Sequence, residues 1–577
     1  MELLSGNEAI ARGAYEAGCT FASAYPGTPS TETLEAFAKY DGVYAEWATN
    51  EKVAVESSLG ASLAGVRSLS TMKHVGVNVA ADPLFTAACT GVNGGFVVLA
   101  ADDPGMYSSQ NEQDSHYYAQ AAKIPMLDPS NSQEAYEFTK EAFSLSEEFD
   151  VPFFIRSSVR VSHTKTPVET HEKQEFKKIT YEKDASKWVM MPAYAKPRRK
   201  VQLKRIEKLK AWVEECQFNV CEQGTDASIG VICYGAAYQH VKEALPSASV
   251  FKLGVSWPLP TKALNKFANS VENVYVIEEG SSYLHEAVSS CGIKISSTPC
   301  NLPQDGELSP GLIKAAFGEK IESCFNTPED LPARPPSLCA GCPHRLVFRE
   351  LGRAKAIVLG DIGCYTLGAL APLSGLDTTV DMGASISMAH GFTVASNGEE
   401  TRPVASIIGD STFSHSGLSS LISAVYNGGS ETVCILDNRT TAMTGRQGNP
   451  FNGVTLQERE STELNIEAIC KAIGVKDVVT VDPYDMMAVR TSLKDAFAFD
   501  GISVRIFKHP CVLLERFKDK PYQVSENCKA CGMCISIGCP ALAKDENEGF
   551  AIIDTNQCIG CGQCAQYCAF DAISQTK

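Results

Sequence analysis

The sequence predicts an α/β protein: three successive α/β regions followed by a short cysteine-rich segment. Three observations predict it. Short apolar runs alternate with helix-periodic stretches as far as about residue 518. Several of those runs end in Gly-Asp or Asp-Asn, as strands of a parallel sheet do where ligands bind. Eight of the 22 cysteines crowd into the last fifty residues.

The bulk properties bound the function. With 577 residues and 44% hydrophobic content, the chain has material for about four domains at ~150 residues each. A net charge of -17 and a pI near 5.2 argue against a nucleic-acid partner. No run of ~18 apolar residues is present, so no membrane span is expected. The N-terminal MELLSGNEAIARGAYEAG is too polar and helix-periodic for a secretory signal. A cytoplasmic location is expected, and with it reduced thiols, so the dense cysteines read as metal ligands rather than disulfides. The other fourteen lie thinly spread, mostly in apolar runs, as small buried hydrophobes do.

Five segments follow from composition. Residues 1–170 contain GGFVVLAADD and VPFFIRSS, which read as buried parallel strands. Residues 171–226 are charged and lysine-rich; Leu203, Ile206, Leu209 and Val213 recur at helical steps, so this is expected to be a helical linker with a solvated basic face. Residues 227–330 form a smaller α/β unit with strands SIGVICYG and NVYVIEEG, ending near the proline-rich LPARPP. Residues 337–518 carry AIVLGD, PVASIIGD, TVCILDN and SVRIF, and residues 521–577 the cysteine cluster.

That cluster reads Cys528-x2-Cys531-x2-Cys534-x4-Cys539-Pro540, then Cys558-x2-Cys561-x2-Cys564-x3-Cys568. Three thiolates at this spacing wrap one iron–sulfur cube while the fourth cysteine reaches the other. By that rule Cys528, Cys531, Cys534 and Cys568 hold one cluster, and Cys558, Cys561, Cys564 and Cys539 the second. The segment resembles a small α+β ferredoxin domain of bacterial type with two 4Fe–4S centres. Zinc also takes four thiolates from C-x2-C pairs, but tandem triplets with remote fourth cysteines suit it poorly. Two departures from the usual pattern are the four residues before Cys539 and Ala569 in place of a proline after Cys568.

An electron-transfer segment needs a donor. Gly409-Asp410-Ser411 ends one apolar run and Asp437-Asn438 the next, 28 positions on. This resembles the thiamine-diphosphate signature, with Ser411 for glycine and Asp437 for asparagine. Magnesium takes six oxygens and draws one or two from protein side chains, which Asp410 and Asn438 can supply. In the family the backbone carbonyl two residues after the asparagine adds a third, here that of Thr440. The stretch Leu436 to Gly445, Cys339-Ala340-Gly341-Cys342-Pro343-His344-Arg345, Gly360-Asp361-Ile362-Gly363-Cys364, and Asp381-Met382-Gly383-Ala384-Ser385 resemble loops of 2-oxo-acid:ferredoxin oxidoreductases. The resemblance places Asp381, Gly383 and Cys364 with Gly409, Asp410, Ser411, Asn438 and Thr440 around the cofactor. Cys339 and Cys342 have no second pair nearby in sequence, which favours a packed loop.

The same resemblance extends to the first region. Tyr25-Pro26-Gly27-Thr28-Pro29-Ser30 is similar to the family's Y-P-x-T-P-S motif, which places Thr28 near the substrate. These enzymes use a glutamate to activate the aminopyrimidine ring. The family places it nine positions before the glycine of G-A-S, selecting Glu51 over Glu56. The polar segment Asp102 to Asp114 suits either a mobile substrate or partner loop or a plain connection. His74 is expected to be merely hydrogen-bonded.

Taken in order, these motifs resemble the alpha subunits of indolepyruvate:ferredoxin oxidoreductases across nearly the whole chain. The resemblance implies two thiamine-diphosphate-binding folds (1–170 for the pyrimidine, 337–518 for the diphosphate), a transketolase-C-like domain at 227–330, and the ferredoxin domain. It implies oxidation of an aryl-pyruvate with coenzyme A to an aryl-acetyl-CoA, carbon dioxide and reduced ferredoxin, using thiamine diphosphate and Mg2+. A smaller beta subunit and ferredoxin are the implied partners. The alternatives are another 2-oxo acid (pyruvate, 2-oxoglutarate or branched-chain), a non-oxidative decarboxylase, or a noncatalytic electron-transfer subunit.

Overall fold

The computed structural model describes residues 1–319, 331–332, 335–396, 398–515, 517 and 519–576. Part of the LPARPP boundary therefore lies outside the described residues. The chain forms two compact units, Met1–Thr327 and Pro328–Lys577.

The first unit is built on a seven-stranded sheet. Its order is Val255–Trp257, Met126–Leu127, Phe153–Ser158, Phe96–Asp102, Ser68–Lys73, Phe21–Ala24 and Tyr44–Trp47, parallel except for the first pair. The strands Ser68–Lys73, Phe96–Asp102 and Phe153–Ser158 are buried along their whole length. The nearly apolar FVVLAAD of the middle strand suits a parallel strand covered by helices on both faces, while its neighbours also bury serines, Lys73 and Arg156. A second sheet, ordered Asn273–Ile277, Asp226–Tyr234, Ala248–Leu253 and Val220–Glu222, is parallel except at its last strand.

Two boundaries differ from the sequence expectation. Strand Val255–Trp257, from the smaller α/β region, forms the edge of the larger sheet. Residues 171–226 are no free linker: helix Pro192–Val213 packs against the larger sheet's domain, and Val220–Glu222 pairs with the smaller sheet. The amphipathic reading holds for Ile206, Leu209 and Val213, which are buried, and fails for Leu203, which is exposed. Part of the basic face is also buried. Arg205 pairs with Asp150 at 2.8 Å and donates to the Ala88 carbonyl, and Arg198 joins the same carboxylate at 3.1 Å. Periodicity alone did not show that Asp150 would need those cations.

The second unit has a five-stranded parallel sheet, ordered Ile357–Leu359, Val404–Gly409, Thr432–Asp437, Ser503–Lys508 and Asp477–Val481. One core lies on each face. The cysteine-rich segment is two short antiparallel pairs, Tyr522–Val524 with Ile573–Gln575 and Leu542–Lys544 with Ala551–Ile553. Single 3-10 turns follow Cys534 and Cys564. Leu346, on helix His344–Arg353, enters the same small core as Cys534, Ile537, Cys564, Tyr567 and Ile573, so the segment packs directly on the α/β part of this unit. Among the described residues no helix is long and apolar enough to cross a membrane.

Candidate active site and electron path

In the first unit, four neighbouring parallel strands deliver polar residues to one edge, at their C-terminal ends. Thr28 follows Phe21–Ala24, Glu51 follows Tyr44–Trp47, Lys73 ends Ser68–Lys73, and Asp103 follows Phe96–Asp102. Glu51 is the first residue of helix Glu51–Leu63, where Asn50 caps the helix by accepting from the Val53 N–H at 2.9 Å. Its carboxylate is only 4% exposed. It fills the space over Gly76 so closely that a Cβ there would come within 2.6 Å of Oε1. Glu56 is exposed and ion-paired with Lys52 at 2.6 Å. The geometry thus separates the two glutamates: one buried in the basin, one on a solvated helix face.

Lys73, unremarked in the sequence, is the basin's cation. It is 8% exposed, donates to the Ser108 carbonyl at 2.8 Å, and packs its stem against Gly27, next to Thr28. Burial lowers its pKa, while the charges of Asp103 and Glu51 act the other way. The segment after Asp102 is a fastened loop. Asp103 accepts from the Ser108 N–H and the Ser109 hydroxyl at 2.9 and 2.5 Å, and Ser108 donates to the Thr28 carbonyl at 3.4 Å. His74 meets the Asn111 carbonyl at 3.1 Å and burial lowers its pKa, so it is a neutral, hydrogen-bonded histidine as expected.

The second unit collects its polar residues at the ends of three adjacent strands, after Leu359, Gly409 and Asp437. Asp410 is 2% exposed, accepts from Asn449 at 3.1 Å and from the Ser411 N–H at 2.8 Å, and has no cationic partner among the described residues. Burial and then the neighbouring Asp437 carboxylate push its pKa up to about 7. Asn438 accepts from the Thr440 N–H at 3.2 Å, and the Thr441 hydroxyl ties the loop to Ser411 at 2.9 Å. Lys508 reaches Asp437 at 3.9 Å, but Asp410, buried beside that second carboxylate with no cation of its own among the described residues, is electrostatically incomplete. The donor set of Asp410, Asn438 and a Thr440 carbonyl fits magnesium.

Asp361 organises the adjoining loop, a role its motif alone did not reveal. Fully buried, it accepts from the Gly383 N–H at 2.8 Å and the Ser385 N–H at 3.2 Å. Gly383 has φ +94° and lies against Ser416, which leaves no room for a Cβ. Asp381 is exposed.

The thiols form three groups. Cys539, Cys558, Cys561 and Cys564 line one recess with Gly341, Arg345 and Ile559. Burial pushes Cys561 to about 11 and Cys564 to about 12, and the other thiols of the recess add to both shifts. Burial likewise raises Cys534, with Cys531 and Cys568 contributing. The recess gathers the four thiols of one set read from spacing, and Cys531, Cys534 and Cys568 of the other lie near one another. Among the described residues no three His, Cys, Asp or Glu side chains gather as ligands of one bare ion do. Four thiols lining one recess suit the four ligands of an iron–sulfur cube.

The third group was missed. Cys339 and Cys342 are not a lone pair: Cys364 feels Cys511 and Cys339, and Cys342 feels Cys339 and Cys364. Burial is the main cause in each, raising Cys364 to about 11 and Cys342 to about 12. The signal lay in the sequence as two further cysteines at strand ends, but they stand 22 and 169 positions after Cys342. This group joins the other two regions of the unit. The Cys511 N–H donates to the Asn438 carbonyl at 3.0 Å. A Cβ on Gly341 would meet Ile559 at 2.2 Å and Cys561 Sγ at 3.4 Å.

Comparison with known proteins matches residues 12–226 to "Pyruvate flavodoxin/ferredoxin oxidoreductase, thiamine diP-bdg". Residues 361–506 match "Thiamine pyrophosphate enzyme, C-terminal TPP binding domain" and 551–574 "4Fe-4S binding domain". The chain is 41% identical to an indolepyruvate oxidoreductase subunit IorA of Thermococcus kodakarensis, over all of this chain and 97% of that protein. The IorA of Pyrococcus abyssi is also 41% identical and that of Archaeoglobus fulgidus 38%, each over 100% of this chain and 97% of the relative.

Proposed function

The chain belongs to the indolepyruvate oxidoreductase IorA family, and from that premise we propose how its residues divide the work. It is the thiamine-diphosphate-dependent, iron–sulfur subunit of a 2-oxo-acid oxidoreductase acting on indolepyruvate with ferredoxin as electron acceptor. Thiamine diphosphate, when bound, supplies the carbanion chemistry that releases carbon dioxide from the 2-oxo acid and leaves electrons to be removed.

Asp410, Asn438 and the Thr440 carbonyl would hold Mg2+, which would bind a diphosphate. Glu51 would accept a hydrogen bond from an aminopyrimidine ring. Thr28 and Lys73 face the substrate, Lys73 offering its ammonium to the 2-oxo acid's carboxylate. Coenzyme A takes the acyl group, and a beta subunit completes the enzyme. The thiol groups carry electrons singly: Cys339, Cys342, Cys364 and Cys511 innermost, then Cys539, Cys558, Cys561 and Cys564, then Cys528, Cys531, Cys534 and Cys568.

One observation carries this reading. The Cys511 N–H bonds the Asn438 carbonyl at 3.0 Å, and the thiol loop containing Gly341 lies against Ile559 and Cys561. A decarboxylase with no electron acceptor has no use for that arrangement. The test is anaerobic reduction of a viologen dye by indolepyruvate and coenzyme A, with the beta subunit present and thiamine diphosphate added or withheld. Thiamine-dependent dye reduction is expected. Aldehyde release without dye reduction identifies a decarboxylase, and neither product identifies an electron carrier. Pyruvate, 2-oxoglutarate and a branched-chain 2-oxo acid, run alongside, test the aryl preference.

A further inference from the structure

Arg345 presents an electrostatic problem. Its side chain is among the largest fully buried ones in the protein. Its five N–H donors all go to backbone carbonyls: Nε to Cys339 at 3.0 Å, one terminal nitrogen to Ile537 at 3.2 Å and to Gly538, the other to Leu338 and to Cys339 at 3.0 Å. Every hydrogen bond is thus made, but no carboxylate pairs with the charge among the described residues. Glu350, on the same helix, is committed to Arg490 at 2.8 Å and to Tyr567 at 2.5 Å. The neighbouring His344 is held neutral, burial lowering it to about 4.

A buried guanidinium without a counter-ion is strongly disfavoured. Such a group persists where something else supplies negative charge. What surrounds it is sulfur. Arg345 lines the recess of Cys539, Cys558, Cys561 and Cys564. It also holds the carbonyls of Leu338 and Cys339, at the start of the inner thiol loop. Burial disfavours its charge, and Cys342, Cys539, Cys339 and Cys561 are the groups acting in the opposite direction.

We propose that Arg345 is a positioning residue whose fixed positive charge is the counter-ion of the clusters on its two sides, raising their reduction potentials while its hydrogen bonds lock the two thiol groups at one separation. The inference rests on the reading of those thiols as iron–sulfur ligands. A cluster held by four thiolates is net negative, and reduction adds one more negative charge. A nearby cation in a low-dielectric interior therefore stabilises the reduced form more than the oxidised one. Without it, electrons arriving from the substrate meet a steeper step.

The test compares Arg345→Gln and Arg345→Lys in the full complex, purified anaerobically. Iron content is measured first, then each cluster's potential by a mediated redox titration read by electron paramagnetic resonance. In Arg345→Gln the equilibrium for reducing an adjacent cluster is expected to fall about tenfold, or ~59 mV for one electron. Arg345→Lys keeps the charge and is expected to keep the potential, with a changed spin–spin interaction between clusters because the strap of hydrogen bonds to four carbonyls is broken. If Arg345→Gln loses iron while Arg345→Lys retains it, the charge is needed for assembly and the proposal stands. It is overturned if both variants lose iron alike, if Arg345→Gln loads fully with unshifted potentials, or if Arg345→Lys shifts as far as Arg345→Gln. A wild-type complex with no reducible iron–sulfur centre removes the underlying reading, and the inference with it.

Discussion

Glu51 and Glu56 stand five residues apart on one helix, and their surroundings assign them opposite fates. Glu51 is buried over Gly76, while Glu56 is solvated and paired with Lys52. Replacing Glu51 by Gln is expected to lower kcat by about 10²- to 10⁴-fold, the usual range for losing a positioned proton-transfer group. The amide has nearly the carboxylate's shape, so the thermal midpoint should hold. Glu56→Gln should leave kcat within about twofold, since an exposed ion pair contributes ~1 kcal/mol or less. Stopped-flow dye reduction on the two variants decides between them, and equal losses would reverse the assignment. At Asp410 the change to Asn removes the only ionisable oxygen proposed for magnesium. Calorimetric titration with thiamine diphosphate and Mg2+ should then show at least about a tenfold weaker affinity, the size expected when a charge-assisted contact is lost.

At the scale of elements, local pattern settled most of what was read correctly, and long-range pairing settled what was missed. Val404–Gly409 and Thr432–Asp437 announce themselves as apolar runs with polar endings, so Asp410 and Asn438 were legible from the sequence. The third thiol group was not, because strand order, not spacing, brings Cys364 and Cys511 to Cys339. The same holds for His116. It sits fully buried between Asp114 at 2.5 Å and Asp128 at 3.0 Å, stacked on Tyr283, with Arg156 bound to Asp128 and Asp102. Burial works against its charge, but the two carboxylates outweigh burial and Arg156 together and raise it to about 9. A group raised in the folded state stabilises fully below its unfolded pKa, about 6.5, and that stability is lost as pH climbs through about 9. The contribution is on the order of 3 kcal/mol. Denaturant unfolding of the wild type should therefore weaken from pH 6.5 to 9.5, and His116→Gln should flatten that slope. An unchanged slope in the variant would place the titration elsewhere.

For the whole molecule the discriminating quantity is iron. Spacing alone supports two clusters, about eight irons per chain; the inner group of Cys339, Cys342, Cys364 and Cys511 raises that to ~12. A chain with only the two C-terminal clusters would still pass electrons outward, but nothing would then explain why Cys339 and Cys364 gather beside the buried Cys342 and Cys511. Cys364→Ser should remove about four irons and the signal that reduces first after substrate is added. The two C-terminal clusters should stay reducible by dithionite, because none of their eight ligands is touched. Gly341→Ala tests the junction itself. With φ at +69° and Ile559 only 2.2 Å from the new methyl, the inner loop must withdraw from Cys561. Transfer to the second cluster should slow in freeze-quench spectra while the iron content stays near that of the wild type. Eight irons in a fully loaded wild-type chain, unchanged in Cys364→Ser, would reduce the inner thiols to packing and leave the C-terminal pair as the whole electron path.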